Sequence, residues 1–420
     1  MTVAAVARPH SRRLVLSGGA VFMLSATLVH AGNYAFNVIL GRQLGPALFS
    51  ELSLIVTLLL VLTFVASTVQ TTATRYVALG VESPAELHRW LLRVLRPASG
   101  AVAISLALSA PWLAGAFRLS SPLPLLLLAA GIPVYLSQAV HRGVVQGQER
   151  FGRLAGSYQA EMSVRLIAGV GLVAAGFSVA GATTALVVSF AASWLVVKQT
   201  VPTAGRPPIG VRHEVWTFAR SAALLLAGET LISHGDLIIA KLSLDPETAG
   251  AYAAVSLIGR LTLLGSWPVV AFIFPIAARR RAGGEPSGRL LAGAVAVVGG
   301  GSLLLTVAAL AGSEQILELA FGSDYVAAAP WLGPYVVATG CFAVARTVFA
   351  YHLARGIRTG ARLALAGGVL EVAALSLLHG SPGTLVWVQV AVGLSLLTVA
   401  IGWHLSGPRP TAVSSNTKGI

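Results

Sequence analysis

The stretch Gly228–Arg260, GETLISHGDLIIAKLSLDPETAGAYAAVSLIGR, reads as the end of one membrane helix, a short polar turn at Ser243–Thr248 and the start of a second helix. The first segment carries Glu229, His234 and Asp236, and the second carries Arg260. An ionised side chain at such a depth costs about 2.5–3.5 kcal/mol on insertion scales, so these residues mark a site of use. Glu229 and Asp236 are seven residues apart, on one helix face with Ser233 between them. Counted inward from the turn, Glu229 and Arg260 lie about twelve and ten residues deep, roughly 15–18 Å at helical rise, and can pair across neighbouring antiparallel helices.

The rest of the chain repeats this character. Its 420 residues are 55% hydrophobic and 10% charged, where an ordinary soluble domain carries about 25% charge. Apolar runs of about 20 residues, each enough to cross a hydrocarbon core of about 30 Å, fall at 14–40, 52–73, 97–117, 122–141, 154–176, 178–198, 217–241, 250–278, 288–311, 326–350, 362–379 and 383–404. The expected fold is an all-α integral membrane protein of about twelve transmembrane helices. Cys341 is the one cysteine, so no intrachain disulfide forms and no cysteine-rich metal site exists.

The net charge of +14 does not point to nucleic acid. With the N-terminus inside, 22 of the 29 basic residues fall in cytoplasmic segments, among them Arg89, Arg93, Arg96, Arg142, Arg153 and Lys198, and three (Arg42, Arg118, Lys241) fall in outer turns. That asymmetry orients the chain with both termini in the cytoplasm of a cell whose cytoplasmic membrane it spans. Arg165, Arg220, Arg260 and Arg346 fall inside spans, and Arg220 and Arg346 are near enough to the inner face to snorkel. Pro84–Arg96 alternates Leu and Trp with Arg and His at helical spacing, which predicts a helix in the cytoplasmic headgroup layer.

Residues 201–213, with Pro202, Gly205, Pro207, Pro208 and Gly210, read as a cytoplasmic linker. They divide a six-helix lobe at 1–200 from a second six-helix lobe at 214–405, followed by a cytoplasmic tail at 406–420. An internal repeat supports the division. Asn37-Val-Ile-Leu-Gly-Arg-Gln-Leu with Gly45-Pro46 aligns with Asp236-Leu-Ile-Ile-Ala-Lys-Leu-Ser with Asp245-Pro246, and Gly147 with Arg153-Leu-Ala aligns with Gly356 and Arg362-Leu-Ala. Each half starts in the cytoplasm, so the halves are parallel repeats, an arrangement found in transporters. Val29-His30-Ala31 mimics a signal-peptidase site, but the first helix is the repeat partner of the seventh and is expected to be retained.

Other polar residues mark the spans. Glu161 and Arg165 are four apart on one helix face and can neutralise each other. His30, Asn33, Tyr34 and Asn37 form a stripe on the first helix, and Thr63, Ser67, Gln70, Thr71 and Thr74 form one on the second. Glu371 stands near the middle of the eleventh span without a local partner, which suggests a cavity or a proton-binding role. These faces imply a hydrated central cavity lined by helices 1, 2, 7 and 8. The outer turns are too short to hold the acid, base and phosphate-binding residues of a membrane glycosyltransferase. There is no P-loop, so the chain is not expected to be an enzyme or to use ATP.

Gly41-Arg-Gln-Leu-Gly-Pro46, Arg142-Gly-Val-Val-Gln-Gly-Gln-Glu-Arg-Phe151, Asp236 to Tyr252, and Phe321-Gly-Ser-Asp-Tyr325 resemble the polysaccharide (O-antigen) flippases. These belong to the superfamily that includes MATE drug exporters and lipid II flippases. The resemblance covers nearly the whole length in order. It implies two six-helix lobes in a V shape that alternate in access and move a polyprenyl-pyrophosphate-linked oligosaccharide to the outer leaflet. It implies a substrate cavity in which Arg165 and Arg260 hold pyrophosphate and His30, Asn33, Asn37 and Gln70 admit sugar. It further implies that Glu229, Asp236 or Glu371 binds a driving Na⁺ or H⁺, with no other cofactor and no metal site. The partners implied are the lipid-linked glycan, membrane lipids and glycan polymerases or glycosyltransferases. Twelve helices, with no basic residue in the first two, depart from the lipid II branch. A cation-coupled organic-cation exporter is the alternative, and a non-transporting scaffold for glycan synthesis is a second.

Overall fold

The computed structural model describes residues 12–78, 84–198, 227–228, 230–282, 285–355, 357 and 359–407. Helices account for nearly all of them, and no strand occurs among the described residues. They are α1 (Arg12–Ala78), α2 (Pro84–Ala116), α3 (Leu123–Gly147), α4 (Phe151–Leu172), α5 (Ser178–Val197), α6 (230–243), α7 (Pro246–Gly259), α8 (Leu261–Ala282), α9 (Gly288–Ala311), α10 (Ser313–Phe321), α11 (Ala329–Ala354), α12 (Thr359–Leu377) and α13 (Pro382–Leu405). The proposed linker at 201–213, Arg220 and Glu229 lie outside the described residues, as does the tail beyond 407.

Eight stretches of the described residues are long and apolar enough to cross a bilayer. Two of them, of 51 and 47 residues, are far longer than the roughly 20 residues one crossing needs. Each is broken in the middle. In α1 the break is Gly45, whose φ of 71° and ψ of 170° suit a residue without Cβ; Pro46 then occupies the first position of the second arm, where its missing N–H is not needed. The other break falls between α4 and α5, at Gly176 (φ 90°) and Ser178 (φ 50°). Broken at these places, the eight stretches read as ten crossings among the described residues of an all-α multi-span protein.

The chain divides into two compact units. Unit 1 comprises residues up to 43, 65–115 and 119–198 of those described; unit 2 comprises 44–64, 116–118 and the described residues from 227 onward. In unit 1, α5 packs on α3 and α4; in unit 2, α11 packs on α7, α8, α9, α12 and α13. Each unit holds a histidine ring near a tryptophan: His141 lies 6.3 Å from Trp194, and His352 lies 4.5 Å from Trp403, ring centre to ring centre. Large apolar side chains that remain exposed, such as Ile104, Leu108 and Trp112 along α2, repeat at helical spacing on faces suited to lipid.

The segment 84–96 is not a separate helix lying on lipid through its apolar face. It is the first part of α2, and its apolar face is buried on protein, with Leu87 and Trp90 packed against Tyr76, Val77 and Val144. Its arginines are thereby turned to the other side. In unit 2, α6 and α7 meet at a tight corner where Asp245 caps α7, its Oδ1 accepting from the Thr248 N–H at 3.0 Å. That bonding to Thr248 holds the Asp245 carboxyl below the ordinary aspartate value. Gly250, one turn later, lies against the carbonyl of Pro46 so closely that a Cβ there would overlap it.

Gly250→Ala is expected to destabilise unit 2 by about 1–3 kcal/mol, seen as a lower midpoint in thermal unfolding of the detergent-solubilised protein. Asp245→Ala is expected to cost about 1 kcal/mol. Because the folded-state pKa is the lower one, the cap's contribution is complete above the unfolded value of about 3.9 and is lost as pH falls through the folded value. The difference between wild type and Asp245→Ala in the same assay should therefore be constant at neutral pH and shrink in strong acid.

Candidate functional site

Among the described residues, each unit contains a buried cluster centred on a carboxylate that binds arginine. In unit 1 the centre is Glu161 on α4. Its Oε1 accepts from Arg165 Nη2 at 2.5 Å, one helical turn along, and its Oε2 accepts from Arg142 Nη2 at 2.7 Å and from Gln138 Nε2 at 3.0 Å. One carboxylate thus serves two guanidinium groups. Arg142 also donates through Nε to Ser157 (2.9 Å) and through Nη2 to Ser193 (2.7 Å), while its guanidinium lies 3.9 Å from the ring centre of Tyr158. Arg165 Nη1 donates to Asn33 Oδ1 on the first arm of α1 at 3.0 Å. The arrangement carries one positive charge more than its carboxylate neutralises.

The sequence pairing of Glu161 with Arg165 is present, but Arg142 was not expected here. Counted with the cytoplasmic arginines, it is instead buried among α3, α4 and α5. Gln138 and Arg142, four residues apart on α3, form a polar face that would have located it. Gln70 bonds Gln146 Oε1 (2.8 Å) and Tyr158, and Thr74 reaches the Gly143 carbonyl. Asn37 Nδ2 is spent on the Asn33 backbone carbonyl (2.9 Å), and His30 is exposed on α1. Asn33 and Gln70 therefore join the polar networks of unit 1, whereas His30 and Asn37 stand on the same helix without touching Glu161.

In unit 2 the centre is Asp236 on α6. Its Oδ1 accepts from Arg260 Nη2 at 2.7 Å, and its Oδ2 accepts from the hydroxyls of Tyr335 (2.7 Å) and Tyr252 (3.3 Å). Behind them, Ser256 bonds the Tyr335 hydroxyl and Gln389 donates to the Tyr252 hydroxyl, each at 2.8 Å. Arg260 thus pairs with Asp236, and the expected partner Glu229 lies outside the described residues: Arg260 sits at the break between α7 and α8, from which its long side chain reaches back toward α6. Gly259 makes room there, since a Cβ would strike the Tyr335 ring.

Glu371 on α12 is 1% exposed, and neither of its carboxylate oxygens has a hydrogen-bond partner among the described residues. It is brought beside Asp236 by close helix packing, in which a Cβ on Gly235 would meet Val372 and one on Gly368 would meet the Gly228 carbonyl. Small residues at such crossings let membrane helices approach closely. An unpaired buried carboxylate is costly as an anion, so this position suits a bound proton or a small cation. His234, two residues before Asp236 on α6, likewise has an Nδ1 with no hydrogen-bond partner among the described residues. Arg346, expected to snorkel, lies over the Trp267 ring at 5.1 Å.

No protein-family model matches the sequence, and no curated protein matches it. Solved structures do match the fold. A lipid II flippase MurJ in an inward closed conformation is similar at a TM-score of 0.75 and 10% identity, over 91% of this chain and 87% of the other. An inward-facing multidrug resistance MATE family transporter of the MOP superfamily is similar at 0.73 and 13% identity, over 89% and 94%. A MOP superfamily transporter from Pyrococcus furiosus, described as having a binding pocket of reverse polarity, is similar at 0.59 and 14% identity, over 94% and 96%. At these identities the likeness is one of fold alone, an all-helical multi-span architecture.

Removing the shared carboxylate should leave Arg142 and Arg165 facing each other uncompensated. Glu161→Gln is expected to cost about 3–5 kcal/mol. Adding Arg142→Met should restore part of the loss, a non-additivity readable in a double-mutant cycle of thermal unfolding midpoints.

Proposed function

We propose that this multi-span protein is an alternating-access flippase of the cytoplasmic membrane, with both termini in the cytoplasm, that carries a polyprenyl-pyrophosphate-linked oligosaccharide to the outer leaflet. The observation that carries this reading is the sharing of Glu161 by Arg142 and Arg165. A diphosphate offers the planar, multiply charged acceptors that guanidinium forks bind bidentately. It would supply the anionic charge that Glu161 alone does not. Asn33, Asn37, Gln70 and His30 provide the donors and acceptors suited to sugar hydroxyls.

Coupling falls to unit 2 in this proposal. Asp236 and Glu371 take up H⁺ or Na⁺, with Glu229 as a further carboxylate of the same helix face. Arg260, held by Asp236, is released when the carboxylates are neutralised, and so acts as the coupling partner and as a second phosphate ligand. No group on the chain performs covalent chemistry in this cycle. A glycan polymerase or glycosyltransferase would supply or consume the cargo. The carboxylate of Glu371, without a hydrogen-bond partner among the described residues, favours a second reading, an exporter of organic cations driven by a cation gradient.

The test is translocation of a fluorescent polyprenyl-pyrophosphate oligosaccharide in proteoliposomes, with and without imposed H⁺ and Na⁺ gradients. Arg165→Ala is expected to lower the rate by at least about tenfold, since a hydrogen bond to a charged group contributes roughly 1.5–3 kcal/mol. Glu371→Gln is expected to abolish the response to the gradient while leaving exchange without a gradient. A wild type that moves no lipid-linked glycan but exports an organic cation against a proton gradient would replace the flippase reading with the second one.

A further inference from the structure

Unit 1 holds a second concentration of positive charge, separate from the Glu161 cluster in its lining and in its chemistry. A cavity of about 390 Å³ opens between the first turns of α2, the end of α3 and the end of α5. Four of its lining residues are cations, Arg89, Arg93, Arg96 and Lys198, and none is a carboxylate. The arginines are not scattered there by composition. Their spacing of four and three residues puts them on one face of α2, and the burial of Leu87 and Trp90 on Tyr76, Val77 and Val144 fixes which way that face turns. Like charges at this spacing repel one another, and the packing holds them together regardless.

A positive-inside bias accounts for arginines at this end of the helices, but not for the state of the donors around the cavity. Two side-chain nitrogens of its lining, Arg89 Nη2 and Trp194 Nε1, are buried and have no acceptor among the described residues. Neither group can accept a hydrogen bond itself. A buried donor left unmade costs free energy, so a site with two of them and four nearby positive charges lacks one thing, an anionic oxygen acceptor. The neighbouring residues are already committed elsewhere: Arg153 donates to the Val196 and Lys198 carbonyls, and Lys198 Nζ lies 4.7 Å over the Trp194 ring.

We infer that this cavity is a binding site for a phosphate group, distinct from the translocation site and occupied by the headgroup of an anionic phospholipid. The volume suits a phosphodiester with part of its glycerol, since ligand sites begin at about 300 Å³. The arginine bias puts the cavity on the cytoplasmic side, at the level of the headgroups, where basic pockets between membrane helices hold anionic lipid. Val188 and Leu195, seven residues apart on one face of α5 and both exposed, offer acyl chains an apolar path away from it. A free phosphate or diphosphate shares the same headgroup chemistry, and the experiment separates the two sources. The inference does not depend on what cargo the protein carries.

The test uses the full-length protein purified in detergent and native mass spectrometry, with phosphatidylglycerol, phosphatidylcholine and inorganic pyrophosphate as separate probes. The wild type should retain phosphatidylglycerol over phosphatidylcholine. The double variant Arg93→Gln/Arg96→Gln should lose at least about tenfold in apparent affinity, as expected for charge-assisted bonds. Trp194→Phe, which keeps the ring and removes the donor, should lose severalfold with an unchanged unfolding midpoint. Arg165→Ala should leave retention as it is. Displacement of the lipid by millimolar pyrophosphate, lost in the same double variant, would support the site with a soluble anion as its occupant. Equal retention by wild type and the double variant, loss on Arg165→Ala instead, or no binding of either probe by the wild type would overturn the assignment.

Discussion

A guanidinium placed away from water must find its compensation inside the protein, and much of this architecture follows from that requirement. Hydrocarbon offers no counterion and no hydrogen bond. Arg142, Arg165 and Arg260 are therefore anchored to Glu161 and Asp236, and the helices bearing them are drawn into fixed relation: α3, α4 and α5 around one carboxylate, α6, α7 and α11 around the other. The serines and tyrosines that complete each cluster occupy positions otherwise taken by apolar packing. They contribute little net stability but remove the penalty of unmade bonds. Apolar burial assembles each unit; the clusters specify which faces meet.

The two units apply one plan with opposite sign. In unit 1 the first arm of α1 brings neutral Asn33 to Arg165 on α4, and two arginines share one glutamate. In unit 2, α6 and α12 bring Asp236 and Glu371 together, with Arg260 as the cation of that cluster among the described residues. The described cluster of unit 1 thus has a surplus of guanidinium and that of unit 2 a surplus of carboxylate.

The division into spans was legible because a membrane demands about 20 apolar residues from every crossing, and this constraint writes itself into composition. The pairing of Glu161 with Arg165 was legible because helical geometry alone puts them together. Arg142 was not, because a charge at the end of an apolar run looks like the end of a span, and only its partners on α4 and α5 reveal that it turns inward. That Arg260 reaches Asp236 was not legible because depth counted along ideal helices ignores the break at Gly259–Arg260. Tyr252 and Tyr335 were invisible as site residues, since a tyrosine in an apolar run gives no sign of where its hydroxyl points. The segment 84–96 has the pattern of an interfacial helix, and pattern cannot distinguish lipid from protein as the apolar surface that receives it.

The surplus charge of the Glu161 cluster also has an electrical meaning. A fixed charge that moves along the membrane normal does work against the transmembrane potential, about 2.3 kcal/mol per elementary charge for the full traverse of 100 mV and proportionately less for a partial one. In the proposed cycle, with the cytoplasm negative, the field would draw the unloaded cluster inward. A bound diphosphate would reverse the sign of what is carried, and the same field would then favour the outward displacement. One glutamate shared between two arginines would let a resting voltage bias both halves of the proposed cycle.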